Sequence, residues 1–155
     1  MIFRKAQSDD IEDLIKMRLA YLTEDFNVNR PKKDEIFEQL SRYFSSHLSH
    51  DCIAFVAHND HLVVSTAFLI IQEKPANHRF PTGKTGLLLN VYTLPEYRRQ
   101  GIATSLLKIL INEAKFYDLS YIELSASNQG EPLYQKFGFV PEHAPHYKKM
   151  ILPLI

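Results

Sequence analysis

Between the apolar run Leu87–Thr93 and the apolar-periodic run after Gly101 lie Arg98, Arg99 and Gln100, a combination able to hold an anion. The first turn of a helix leaves backbone N–H groups without internal partners, at the positive end of the helix dipole. A phosphate or diphosphate is a natural occupant of such a turn. Gly101 lets a ligand approach the backbone, and the small Ala103 leaves room beside it. Arg98 and Arg99 can add charge-assisted bonds to the same anion. No Gly-Lys-Ser/Thr follows, so this is not a Walker A loop, and the repeated glycines of a dinucleotide fingerprint are missing as well.

The remaining reactive residue types are less organised. Cys52 is the only cysteine, which excludes an internal disulfide and suits a small buried hydrophobe. His47 and His50 are three apart on a helical stretch, but no Cys/His pair accompanies them, and His58 and His61 span a turn. No metal site is expected from that set. Eighteen basic residues balance eighteen acidic ones, so no global positive charge exists to hold a nucleic-acid backbone. The segment MIFRKAQSDD has no apolar core, and no uncharged apolar run reaches membrane-spanning length; a cytoplasmic protein made without processing is expected, with no membrane partner.

Elements that position these residues follow from periodicity. With 155 residues, 45% of them hydrophobic, one domain spanning residues 1–155 is expected. Ile2 to Lys5 reads as a short strand, and Ser8, Asp9 and Asp10 favour a helix start. Ile11, Leu14, Ile15, Leu19, Leu22 and Phe26 then recur at helical spacing. Pro31 breaks that pattern, and a second amphipathic stretch is expected from Asp34, with Ile36, Phe37, Leu40, Phe44 and Leu48 on its packed face. Cys52–Ala57 and Leu62–Gln72 read as strands around a turn at Asn59-Asp60. Lys74 to Lys84 holds Pro75, Pro81 and Gly83 and is a loop. Leu87–Thr93 is a strand stopped by Pro95, and Ala103, Leu106, Leu107, Leu110 and Ala114 mark the inner face of the next helix. Tyr121–Ser125 reads as a strand, Leu133–Phe137 as a short helix and Tyr147–Leu152 as a final strand. The order β-α-α-β-β-β-α-β-α-β fits an α/β layer fold with a largely antiparallel sheet and one parallel crossover.

The segment Arg98-Arg99-Gln100-Gly101-Ile102-Ala103 resembles the Arg/Gln-x-x-Gly-x-Gly/Ala motif of the GNAT superfamily, the acetyl-CoA-dependent N-acetyltransferases. About thirty residues on, Leu133-Tyr134-Gln135-Lys136-Phe137-Gly138-Phe139 resembles the family's Leu-Tyr-x-Lys-x-Gly-Phe motif. The resemblance implies a mixed, mostly antiparallel central sheet flanked by helices, with a splayed pair of parallel strands. It implies that the backbone from Gln100 through Ile102 and Ala103 to Thr104 cradles the coenzyme A diphosphate, with Arg98 and Arg99 beside it. It also implies that Val91, Tyr92 and Thr93 run along the pantetheine arm as an added strand would. Lys136 is counted with the coenzyme-binding residues, as are Ser127 and Asn128. Many members carry asparagine seven residues before the motif tyrosine, where this chain has Ser127.

The same resemblance gives Tyr134 the task of protonating the departing thiolate. An amine attacks only when neutral, so a proton acceptor is wanted; Glu24 is the first candidate and His78 the second, while the Asn90 amide can orient the acceptor or a water. The expected activity is direct acetyl transfer to a primary amine of a small molecule in a ternary complex, with a backbone N–H near Val91 polarising the carbonyl. Cys52 is not the expected nucleophile, because no positioned histidine accompanies it. A protein or peptide acceptor, and a non-catalytic acyl-CoA-binding module, are the alternatives. A homodimer, through a sheet edge or the last strand, is left open.

Overall fold

β2 (Cys52–Asn59) and β3 (Leu62–Glu73) are buried along most of their length, as their apolar runs require, and form the middle of a five-stranded sheet. The structure is a computed structural model that describes residues 1–143 and 146–155. Strand order is β1 (Ile2–Lys5), β2, β3, β4 (Lys84–Thr93) and β5 (Ile122–Glu123). Neighbours are antiparallel except β4 and β5, which run parallel. This is the mixed sheet with one parallel pair that the sequence implied.

Helices cover both faces. α1 (Ile11–Phe26) buries Leu14, Ile15 and Met17, and α2 (Arg30–His47) buries Leu40 and Phe44; these meet Cys52, Ala54, Val56, Phe68 and Tyr92 on one side of the sheet. α3 (Ile102–Ala114) packs on β2, β3 and β4 through Leu106, Leu107 and Leu110, all fully buried. Side chains alternate across a strand, so Ile53, Phe55, Leu69 and Leu88 serve this second layer. Cutting any of those three leucines to alanine removes contacts worth about 2–5 kcal/mol.

The backbone falls into two compact units, Met1–Leu124 and Ser125–Ile155. The first holds the sheet and α1 to α3; the second holds α4 (Glu131–Lys136). Among the described residues, no helix is long and apolar enough to cross a membrane.

Several boundaries differ from the sequence expectation. α2 starts at Arg30, not Asp34, because Pro31 sits in its first turn, where a missing N–H costs nothing, and Asn29 accepts from Lys32 N at 3.2 Å. The hairpin turn is Asp60-His61, since Asn59 still pairs with Leu62. β5 is only Ile122–Glu123, because β4 presents just Gly86 and Leu87 to it. Residues 147–152 form no strand; they are exposed, and no described backbone bond gives them the partner a strand needs.

One buried charge anchors the start of α1. Asp10, 6% exposed, accepts from Arg4 Nη1 and Nη2 at 2.7 and 2.8 Å and from Gln7 N at 2.8 Å. The Arg4 guanidinium holds this carboxyl below its ordinary range, against the opposing effect of burial. The folded carboxyl therefore binds its proton more weakly than the unfolded one. Its contribution is complete above the unfolded value of 3.8 and is lost as pH falls through the lower folded value. Asp10→Asn should cost about 2 kcal/mol in urea unfolding at pH 7, with a deficit that shrinks in strong acid.

Candidate active site

α3 begins on Gly101, whose φ of 77° lies in the left-handed region where a side chain is strained. Arg99 also has a positive φ, 62°. This kinked entry joins the short 3-10 segment Pro95–Tyr97 to the helix. No side chain caps the helix, and its first bond is Ser105 N to Gly101 O at 3.0 Å. Among the described residues, no acceptor is bonded to the backbone N–H groups of residues 99–104. A Cβ built on Gly101 would meet no atom within 4 Å, and Arg99, Gln100 and Thr104 are exposed. Ile102 is buried beneath the turn and Ala103 half-buried beside it. Unbonded donors beside open space at Gly101 are what an anion-binding turn requires.

Beside this turn, β4 has an unused edge. β5 pairs with it only at Gly86 and Leu87, and Gly86 N donates to Tyr121 O at 2.9 Å. Beyond Leu87, no described strand pairs with that side of β4, which leaves Val91 and Thr93 on a free edge. On the other side the β3 register breaks: Thr66 faces Tyr92 and Phe68 faces Leu89, so Ala67 opposes both Asn90 and Val91. Such a bulge bends and twists its strand. Asn90 takes the strained position, with φ 53°, and is 5% exposed. Its Nδ2 donates to Thr66 Oγ1 at 2.9 Å, Thr66 Oγ1 donates to Asn90 O at 3.3 Å, and Arg18 Nη1 reaches Asn90 Oδ1 at 3.4 Å. These bonds hold the bulge in shape.

Glu24, Tyr92 and Arg98 form one cluster where α1 ends. Glu24 Oε2 accepts from Tyr92 Oη at 3.0 Å and from Arg98 Nη2 at 2.8 Å. Arg98 Nε donates to Thr93 O at 2.9 Å, and its guanidinium lies 5.5 Å from the centre of the Tyr92 ring. Arg98 thereby ties the turn before α3 to β4 and α1, whereas Arg99 forms no ion pair among the described residues. Arg98 holds the Glu24 carboxyl below its ordinary range, which lowers its appetite for a proton; among the described residues both bonds go to Oε2 and none to Oε1. Sequence reasoning missed this pairing and the bulge. A lone Asn is a weak signal for a left-handed residue, and Arg98 lies 74 positions from its partner.

In the second unit, Ser127 closes the turn into α4, where its Oγ and O both accept from Gly130 N, at 3.1 and 3.0 Å. Gly130 sits close to the Tyr134 ring, which an added Cβ would meet at 3.2 Å. That half-buried ring meets Phe139 edge-on at 5.9 Å, so the two aromatics of the motif pack on each other. Asn128 and Lys136 are exposed.

Elsewhere, His47 pairs with Asp51 at 2.7 Å, and no group of three His, Cys, Asp or Glu among the described residues is gathered as a metal ion would require. Cys52 is fully buried, and burial pushes its thiol up to about 11. The native protein should therefore resist a thiol reagent at pH 8 and react quickly only after unfolding, which a labelling time course measures. A surface cleft of about 330 Å³, lined by Gln7, Ser8, Phe44 and Leu48 among others, lies at the other end of the sheet. The register places it there, because Cys52 beside Leu48 aligns with Ile70 and Leu87, whereas Thr93 aligns with Ser65 and Ala57.

Residues 50–141 match the family described as the acetyltransferase (GNAT) domain. A predicted acetyltransferase of Clostridium acetobutylicum, solved with acetyl-CoA, is 28% identical; the alignment covers 97% of this chain and 95% of that one, with a TM-score of 0.80. A GCN5-related N-acetyltransferase of Ralstonia eutropha JMP134 is 22% identical over 97% of each chain, with a TM-score of 0.78. A possible acetyltransferase of Clostridium difficile 630 is 17% identical over 98% of each, with a TM-score of 0.76. No curated protein matches the sequence. The family match takes in more than half of the chain, including β4, the open turn and the tyrosine motif, and on that ground the protein belongs to the GNAT acetyltransferase family.

Proposed function

We propose that the protein moves the acetyl group of acetyl-CoA onto a primary amine of a small molecule, by direct transfer in a ternary complex. The observation that carries this reading is the row of unbonded N–H groups at residues 99–104 beside the free edge of β4. Such a row fits a diphosphate, and a free strand edge fits the amides of a pantetheine arm. The Clostridium acetobutylicum relative, solved with acetyl-CoA, supports the same ligand. The family match crosses the boundary between the two compact units, which supports reading them as one acetyltransferase domain.

When bound, acetyl-CoA supplies an activated acetyl thioester. Residues 99–104 hold its diphosphate, and Val91 and Thr93 align the arm through their backbone groups. An N–H near Val91, at the bulge, polarises the acetyl carbonyl as the amine nitrogen attacks. Glu24 offers its free Oε1 to the amine; with its proton affinity lowered, it anchors the amine's N–H and leaves the proton to water. Tyr134 hands its phenolic proton to the departing thiolate, a role resting on its place in the Leu133–Phe139 motif.

Two measurements test the proposal together. Millimolar coenzyme A should raise the melting temperature, because a ligand of the folded state stabilises it by mass action. Thiol release from acetyl-CoA should depend on added small amine. Binding without amine-dependent release would instead mean a non-catalytic binding module, and absence of both would end the acetyltransferase reading.

A further inference from the structure

Arg18 is a half-buried cation that takes part in none of the ion pairs among the described residues. Its hydrogen-bonding contact is the long one to Asn90 Oδ1, and its guanidinium lies 5.6 Å from the centre of the Tyr21 ring. Arg4 and Arg98, by contrast, each grip a carboxylate at 2.7–2.8 Å. The carboxylates of α1 are committed elsewhere: Glu12 and Asp13 to Lys16, Glu24 to Arg98 and Tyr92, and Asp25 to Tyr21. Burial pulls the Arg18 pKa below its ordinary value, yet a guanidinium remains charged at neutral pH.

Taking a charge partly out of water without a counter-charge is costly, so an unanswered guanidinium of this kind is a place for an anion. Its planar fork, with most of its donors uncommitted, matches two oxygens of a carboxylate or phosphate group. The position in the fold says whose anion it is. Arg18 projects from α1 onto the bulge of β4 and touches Asn90, the residue before Val91, where the acetyl carbonyl is read to sit. The anion must then belong to the molecule being acetylated and lie only a few bonds from its amine.

We infer that Arg18 receives an oxyanion of the acceptor, so that the substrate class is a small primary amine carrying a carboxylate or phosphate group close to the nitrogen. This inference rests on the acetyltransferase reading and adds the acceptor's charge and size to it.

The experiment compares matched acceptors of one chain length: an amino carboxylate, an amino phosphonate and an amino alcohol. For the unaltered protein, kcat/KM should favour the better anionic acceptor over the alcohol by on the order of 30-fold. Whether the carboxylate or the phosphonate leads identifies the anion. Arg18→Met should bring that ratio close to one, and Arg18→Lys should keep part of it. A second readout needs no turnover: with coenzyme A present, the carboxylate or phosphonate lacking the amine should raise the melting temperature of the unaltered protein and not of Arg18→Met. If Arg18→Met does not fold, the acceptor ratio of the unaltered protein and the Arg18→Lys variant decide. Equal use of the alcohol overturns the inference, as does a preference that survives in Arg18→Met. Turnover of no acceptor, together with no thermal response to the amine-free anions, overturns it too. Should acetyl-CoA bind and only neutral amines react, this inference alone falls; should acetyl-CoA fail to bind, the acetyltransferase reading falls first.

Discussion

Gly101→Asp is expected to weaken acetyl-CoA binding about 100-fold or more while changing fold stability by no more than about 1 kcal/mol. The two effects separate because they arise from different neighbours. Within the protein, a Cβ at this position meets no atom within 4 Å, so nothing in the fold is crowded. The left-handed backbone costs a side chain some strain, but aspartate tolerates it better than most residues. Its carboxylate would also cap a helix that has no side-chain cap and favour the positive dipole end. Towards a diphosphate, the same carboxylate is a like charge in the cradle. At a separation of about 5 Å and an effective dielectric of about 20, that repulsion is about 3 kcal/mol. Calorimetric titration and thermal unfolding of the same variant measure the two quantities. Loss of stability in parallel with loss of binding would mean that the turn is built for the fold rather than for a ligand.

Tyr134→Phe is expected to lower kcat about 100-fold and leave the affinity for acetyl-CoA nearly unchanged. Removing one oxygen keeps the ring, and with it the edge-on contact to Phe139 and the fit over Gly130. What disappears is the hydroxyl that we propose as the proton donor, and a donor to the departing thiolate acts in the transition state. Steady-state thiol release paired with a binding isotherm distinguishes this from a packing defect, which would change both. Turnover equal to that of the unaltered protein would assign the proton to water and reduce Tyr134 to a packing role.

The parts of this site written into contiguous residues were legible before any fold was known. α3 declares itself through Leu106, Leu107 and Leu110 at helical spacing, and Gly101 marks its start. The parting of β4 from β5 is a different case, because neither strand's composition announces it. It followed from the resemblance alone, and the structure shows it in a β5 that stops after Glu123. Pro31 misled the reading of α2, since proline ends a helix when it falls inside one and begins one when it falls in the first turn. Residues 147–152 have the apolar content of a strand, yet content without a pairing partner leaves backbone groups to water.

Long-range pairings were beyond the sequence. Arg98 and Arg99 look alike in the chain, but folding gives Arg98 to Glu24 and leaves Arg99 exposed. The same pairing with Arg98 holds the Glu24 carboxyl below its ordinary range. Arg18 gave no sign in the sequence, because its lack of an ion pair is recognisable only once the carboxylates of α1 have found their own partners.

Backbone amide shifts, followed by NMR while acetyl-CoA is added, test the central claim residue by residue. The N–H groups of residues 99–104 should move most and become protected from hydrogen exchange, with Val91 and Thr93 following. Shifts concentrated instead around Gln7, Phe44 and Leu48, with an unresponsive turn, would place the ligand in the cleft at the opposite end of the sheet and contradict the account.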